Sequence, residues 1–133
     1  VVTMHDSPLG FRHGPKSIVN DETLTVILLS SNAYARQYEL DLLKEMSVQR
    51  KGNRIAVLTG EKCEEAEGLA DLVVCFNHEC ALDNALLGLN YILFAQILAL
   101  KKSLSLSIGP DNPCPTGEVN RVVKGVTIYP YQK

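Results

Sequence analysis

Four short apolar runs, at positions 1–4, 23–30, 54–60 and 71–76, constrain the fold of this chain more than any other feature. Each is a near-continuous stretch of Val, Ile and Leu with turn-forming residues at its ends. A strand with one wet face alternates apolar and polar residues, and these barely alternate, so they predict strands buried on both faces of a parallel sheet. Helical segments separate them. Over 33–49, Tyr34, Tyr38, Leu42, Leu43 and Met46 recur at three- and four-residue steps beneath a charged face, with Ser31 or Asn32 placed to cap the helix. A short acidic helix is expected over 61–67, with Gly68 just beyond it, where a left-handed terminus favours glycine. A long apolar helix follows Cys80. Right-handed crossovers place such helices on both faces of the sheet, so the expected fold is a three-layer α/β sandwich. Ligands in such folds sit at strand carboxyl ends, which directs attention to the loops after Met4, Ser30, Gly60 and Phe76.

With 133 residues, 46% hydrophobic and 21% charged, the chain can build one core without a metal or disulfide staple. Its formal charge of −2 lacks the basic excess that phosphate-backbone binding needs, so no nucleic-acid partner is expected. Cys63, Cys75, Cys80 and Cys114 form no CxxC pair and point to a reduced, cytoplasmic setting. The apolar stretch 81–100 carries Asp83, Asn84, Asn90 and Gln96, which a bilayer penalises, so it reads as a buried helix of a soluble protein or a subunit interface, with no membrane partner. The chain opens on Val1 without an initiator Met and reads as an internal start. Residues 1–108 are expected to form the domain. Residues 109–133, which open on Gly109-Pro110-Asp111-Asn112-Pro113-Cys114-Pro115, form a non-helical tail that wraps it, pinned by Val122, Val123, Val126 and Ile128.

Chemistry concentrates in Asp6-Ser7-Pro8-Leu9-Gly10-Phe11-Arg12-His13-Gly14-Pro15-Lys16. Pro15 restricts the backbone and Gly14 permits close approach, so the His13 imidazole is aimed in a defined direction. An aimed imidazole suits proton transfer; the bland reading, that His13 only hydrogen-bonds a turn, stands on about even terms. Cys75-Phe76-Asn77-His78-Glu79-Cys80 offers thiols and an imidazole, but a structural zinc needs four ligands, and Cys63 and Cys114 sit in unrelated contexts. His78 is placed to line the strand-end crevice. Gly109-Pro110-Asp111 lacks the glycine spacing and following helix of a phosphate loop.

The segment Ser7-Pro8-Leu9-Gly10-Phe11-Arg12-His13-Gly14-Pro15-Lys16-Ser17 resembles the His-Gly-Pro segment of the second domain of the SIS (sugar isomerase) family. A second motif, Pro110-Asp111-Asn112-Pro113-Cys114-Pro115-Thr116-Gly117-Glu118-Val119-Asn120-Arg121-Val122-Val123 and then Gly125-Val126-Thr127-Ile128-Tyr129-Pro130, is similar to the tail of that family's AgaS-type branch. That branch comprises tagatose-6-phosphate ketose/aldose isomerases and galactosamine-6-phosphate deaminases. The resemblance implies an α/β/α sandwich with a flavodoxin-like parallel sheet, here without its first strand and helix. It implies isomerase or deaminase activity on a sugar phosphate, without metal or organic cofactor.

The same resemblance implies that His13 assists ring opening in the site of a neighbouring subunit, hence a homodimer or higher homo-oligomer. It implies an N-terminal SIS domain of the same protein as a partner, a tail that reaches the sugar site, and a sugar-site role for Lys124, although a lone tail lysine is more often a solvated charge. The family's general base and phosphate loop lie upstream of the matched segment. Asp6 and Arg12 are then candidates to line the substrate. The alternatives are a sugar-phosphate sensor without turnover, or an inert scaffold.

Overall fold

The sheet is organised about its middle strand. In the computed structural model, which describes residues 1–76, 82–118 and 125–131, β1 (Leu24–Leu28), β2 (Arg54–Thr59) and β3 (Leu72–Cys75) form a parallel sheet in the order β1-β2-β3. The register sets Val26 opposite Ala56 and Leu58 opposite Val74. Five successive residues of β2, Ile55 through Thr59, are each at most 2% exposed. That is why its run does not alternate: both faces are covered. Leu24, Leu28 and Leu72 on the flanking strands are exposed, so burial on both faces holds for β2 and not for its neighbours.

Before the sheet lie α1 (Pro8–Arg12) and a 3-10 turn (Pro15–Ile18). The first crossover is α2 (Ala33–Val48), capped by Asn32, whose side chain accepts the N–H groups of Tyr34 and Ala35. Such a cap contributes about 1 kcal/mol. Leu42, Leu43 and Met46 on α2 close the core with Val19, Ile27, Leu29, Ile55, Val57 and Ala66. Tyr34, expected on the inner face, is 70% exposed and instead pairs with Tyr38, ring edge to ring face at 5.4 Å. Tyr34 stands two and a half helical turns before the buried Leu43, so the two side chains leave α2 on opposite sides. The second crossover, α3 (Glu64–Leu69), buries Ala66. Gly68 lies inside this helix rather than after it, and the capping residue Ala70 has an extended backbone, so there is no left-handed terminus.

Two further expectations fail. Residues 1–4 form no strand: Val1 and Val2 are 86% and 95% exposed. β propensity is realised only through ladder bonds and a covered face, and no described strand offers this segment either one. The long helix α4 (Asn84–Ser105) forms, yet among its residues only Leu87 is buried, so it is not the buried helix expected. Its 22 residues are long and apolar enough to cross a membrane by length and composition alone. The exposed apolar residues Leu86, Leu89, Ile92, Leu93 and Ile97 fall on one side of the helix, away from the buried Leu87.

The chain divides into two compact units, Val1–Tyr91 and Ile92–Lys133, with the boundary inside α4. In the second unit α4 ends in a Schellman motif: the N–H of Ile108 donates to Ser103 O and that of Ser107 to Leu104 O, both at 3.0 Å. Ser107 takes the left-handed position at φ 60°. The described residues beyond it form no helix or strand. Val126 and Ile128 are exposed rather than pinned against a surface; Val122 and Val123 lie outside the described residues.

Candidate functional site

His13 sits where two short helical turns abut. Ser7 caps α1 by accepting the Gly10 N–H at 3.1 Å, and His13 ends α1 by donating its own N–H to Gly10 O at 3.0 Å. Gly14 then opens the 3-10 turn, its carbonyl accepting the Ser17 N–H at 2.9 Å. Pro8 and Pro15 each take the first helical position, where a missing N–H costs nothing and the fixed φ is already helical. The dense Pro and Gly content thus builds a helix-turn-helix corner rather than the loop after a strand that the sequence suggested. Phe11 packs against the core and ties α1 to the sheet.

The corner is also held from α2. Arg12 Nε donates to Glu45 Oε2 at 2.7 Å, and Lys16 Nζ donates to Glu45 Oε1 and, at 3.1 Å, to Gln49 Oε1. Glu45 lies in the last turn of α2, and Gln49 is the capping residue one turn on, its N–H donating to Glu45 O. The Lys16 ammonium foremost, and the Arg12 guanidinium with it, hold the Glu45 carboxyl below the usual carboxylate range. A cavity of about 230 Å³ opens beside this clamp, lined by Arg12, His13, Lys16, Ser17, Lys51 and Asn53 among others. Asn53 is 2% exposed; its Oδ1 accepts the Lys51 N–H at 3.1 Å, and its Nδ2 has no partner among the described residues. The polar lining offers mainly hydrogen-bond donors, of which Arg12 and Lys16 are engaged by Glu45 behind them.

Lys51 and Asn53 directly precede β2, so this cavity lies at the amino ends of the strands and not at the carboxyl ends. The fold brings His13 and Arg12 together on its wall. Asp6 is exposed, does not line it, and accepts the Ser7 N–H at 2.7 Å. Lys124 and His78 lie outside the described residues. Glu45, Gln49, Lys51 and Asn53 were not picked out from sequence. The available signal was polar Glu45 and Gln49 bordering the buried stripe of α2 one turn apart.

At the carboxyl ends of the strands a second polar group is engaged internally. Asn84 Oδ1 accepts the Ser31 N–H at 2.7 Å, Glu39 Oε2 accepts the Ser30 N–H at 2.6 Å, and Arg36 spans Ser30 O and Glu61. Burial pushes the Glu39 carboxyl up from its ordinary value. It also pushes the Tyr91 phenol, which donates to Leu29 O at 2.5 Å, up to about 12. The Ser30-Ser31-Asn32 step after β1, read from sequence as a cap and as a strand-end loop where a ligand could sit, is the tie between β1 and the start of α4.

No family model matches the chain. Individual proteins do. It is 43% identical over 133 residues to a D-galactosamine-6-phosphate deaminase AgaS of Shewanella sp. (strain ANA-3), covering all of this chain and 31% of that protein. It is 41% identical to an Escherichia coli protein of the same name, over 99% of this chain and 34% of the other. Among solved structures, one from Clostridium novyi NT carrying the name tagatose-6-phosphate ketose/aldose isomerase superposes with a TM-score of 0.88 at 50% identity, over 98% of this chain and 34% of that one. An Escherichia coli structure of that name gives 0.73 at 33% identity, over 95% and 30%. The chain spans about a third of the length of each of these relatives. Along its whole length the chain is thus similar in sequence to proteins named AgaS, and its parallel α/β sheet superposes on part of solved structures that carry the isomerase name.

Proposed function

We propose that this chain is part of a sugar-phosphate isomerase or deaminase, acting on galactosamine-6-phosphate or tagatose-6-phosphate, in which His13 assists ring opening. The observation that carries the reading is the exposed imidazole of His13 on the wall of a donor-rich cavity, on a corner fixed by helix caps and by Glu45. Ring opening needs a proton moved between the ring oxygen and the anomeric hydroxyl, and an imidazole titrates in the range where it both gives and takes one. The names of the relatives supply the substrate class. Moving the proton between adjacent carbons needs a further base, which this reading assigns to residues outside the chain. Lys124 and the tail are assigned to the sugar site on the family resemblance, and Arg12 and Asp6 to its surroundings.

The same proposal includes a cytoplasmic homo-oligomer, with His13 serving a neighbouring subunit and an N-terminal SIS domain completing the site. The exposed apolar residues of α4 favour protein partners of this kind, since a contiguous apolar face left in water is the usual mark of an interface. The test is to assay the full-length protein for ammonia release from galactosamine-6-phosphate and for ketose-aldose exchange of tagatose-6-phosphate, comparing wild type with His13→Ala. A loss of about a hundredfold or more is expected. Unchanged turnover in the variant sinks the role of His13. Tight binding of either sugar phosphate with no turnover in the wild type points instead to a sensor.

A further inference from the structure

We propose that Glu45 is the positioning residue for His13, a role that rests on the ring-opening reading of His13. One carboxylate receives an arm from each side of the histidine: Arg12, its immediate predecessor, on Oε2, and Lys16, three residues after it, on Oε1. The partners stand 33 and 29 residues away along the chain, so this is a tertiary clamp. It is needed because the corner cannot hold itself. Its two helical pieces have five and four residues, far below the length at which a helix persists unaided. Phe11 ties the first piece to the core and the capping residue Val19 ties the end of the second, while Pro15–Ile18 itself has no buried residue and is held on its polar side through Lys16. Side chains of all three charged partners are about three-quarters covered, at 28%, 26% and 28% exposure, a setting in which charge-assisted hydrogen bonds hold geometry better than at an open surface.

Glu45 does not touch the reacting atoms in this scheme. It acts through Arg12 and Lys16 on the direction of the imidazole, and a displacement of about 1 Å at a reacting group can cost on the order of a hundredfold in rate. Glu45→Gln keeps the volume but offers one acceptor oxygen in place of two and turns an amide N–H₂ toward a cation, so one arm is released. In the full-length protein, kcat should fall about ten- to a hundredfold with KM within about threefold. Amide hydrogen exchange at His13 and Ser17, whose N–H groups close the two turns, should accelerate at least about tenfold while Ile55 and Val57 in β2 stay unchanged. Glu45→Asp should fall between wild type and Glu45→Gln in both readouts. If Glu45→Gln does not fold, Lys16→Met releases one arm from the outer turn and carries the same two measurements.

Unchanged exchange at His13 and Ser17 overturns the proposal whatever happens to activity. Parallel acceleration in β2 overturns it as well, because it marks a general loss of stability. A rise in KM with kcat intact assigns Glu45 to substrate binding and overturns the positioning role. If His13→Ala retains full turnover, the ring-opening reading fails and the positioning role for catalysis falls with it. The exchange result still decides whether Glu45 fixes the corner, so the two failures remain distinguishable.

Discussion

Asp71 and Ile55 bond to each other twice: the Ile55 N–H donates to Asp71 Oδ2 at 2.8 Å, and the Asp71 N–H donates to Ile55 O at 2.8 Å. The carboxylate thereby joins the start of β2 to the start of β3 and also receives Arg50, 2.9 Å to each oxygen, and Arg54 at 3.2 Å. The Ile55 N–H first, and the Arg50 guanidinium after it, hold its pKa at about 2, against 3.8 for a free aspartate. A folded-state pKa below the unfolded one means that this stabilisation is fully present above about pH 4. It is lost as pH falls from there toward 2. Urea midpoints measured between pH 2 and 5 should therefore drop with falling pH, and Asp71→Asn should lower the neutral-pH midpoint and flatten the slope. The slope should not vanish, because Glu45 is shifted in the same direction.

Leu43 is wholly buried against the sheet and Tyr34, nine positions earlier on α2, is 70% exposed. Leu43→Ala should cost about 2–5 kcal/mol through lost burial and the cavity left behind. Tyr34→Ala should cost less than about 1 kcal/mol. Equal effects in urea denaturation would contradict the packing of α2 described above.

Gly60 ends the β2 run where the first turn of α4 comes close. A Cβ there would stand 3.0 and 3.1 Å from the two terminal methyls of Leu87, a side chain only 1% exposed. Gly60→Ala should destabilise the first unit by about 1–3 kcal/mol through overpacking. In the double variant with Leu87→Ala the penalty of the alanine at 60 should largely disappear, a coupling that a thermodynamic cycle measures directly.

Ser107 holds the left-handed position of the α4 Schellman motif. That conformation costs a residue with a Cβ about 1–2 kcal/mol. Glycine returns about 0.4–1 kcal/mol of this through the greater freedom of its unfolded chain. Ser107→Gly should therefore raise the helix stability by up to about 1.5 kcal/mol, read as slower amide exchange at Ile108 and Leu106.

The strands were legible at 23–30, 54–60 and 71–76 because β2 is covered on both faces and its neighbours carry enough Val, Ile and Leu to mark their places. The Asn32 cap was legible because its chemistry is local. Residues 1–4 were misread because a strand exists only with a partner, which no propensity supplies. The exposure of α4 was misread because hydropathy records how apolar a helix is and not what covers it. The His13 corner announced itself through Pro, Gly and charge crowded into eleven residues. Glu45 did not, since its meaning depends on Arg12 and Lys16 arriving from some thirty positions away.

The sheet order β1-β2-β3 repeats the chain order, so every strand is added beside the one made just before it. Such a domain can assemble during synthesis by accretion, each crossover closing as it emerges, with few distant pairings to wait for. The His13 corner is the exception to that economy of timing. It precedes α2 in the chain, yet its clamp belongs to α2, so the corner is locked only after the first crossover has folded. A nascent chain would thus carry an unaimed histidine until its scaffold is in place.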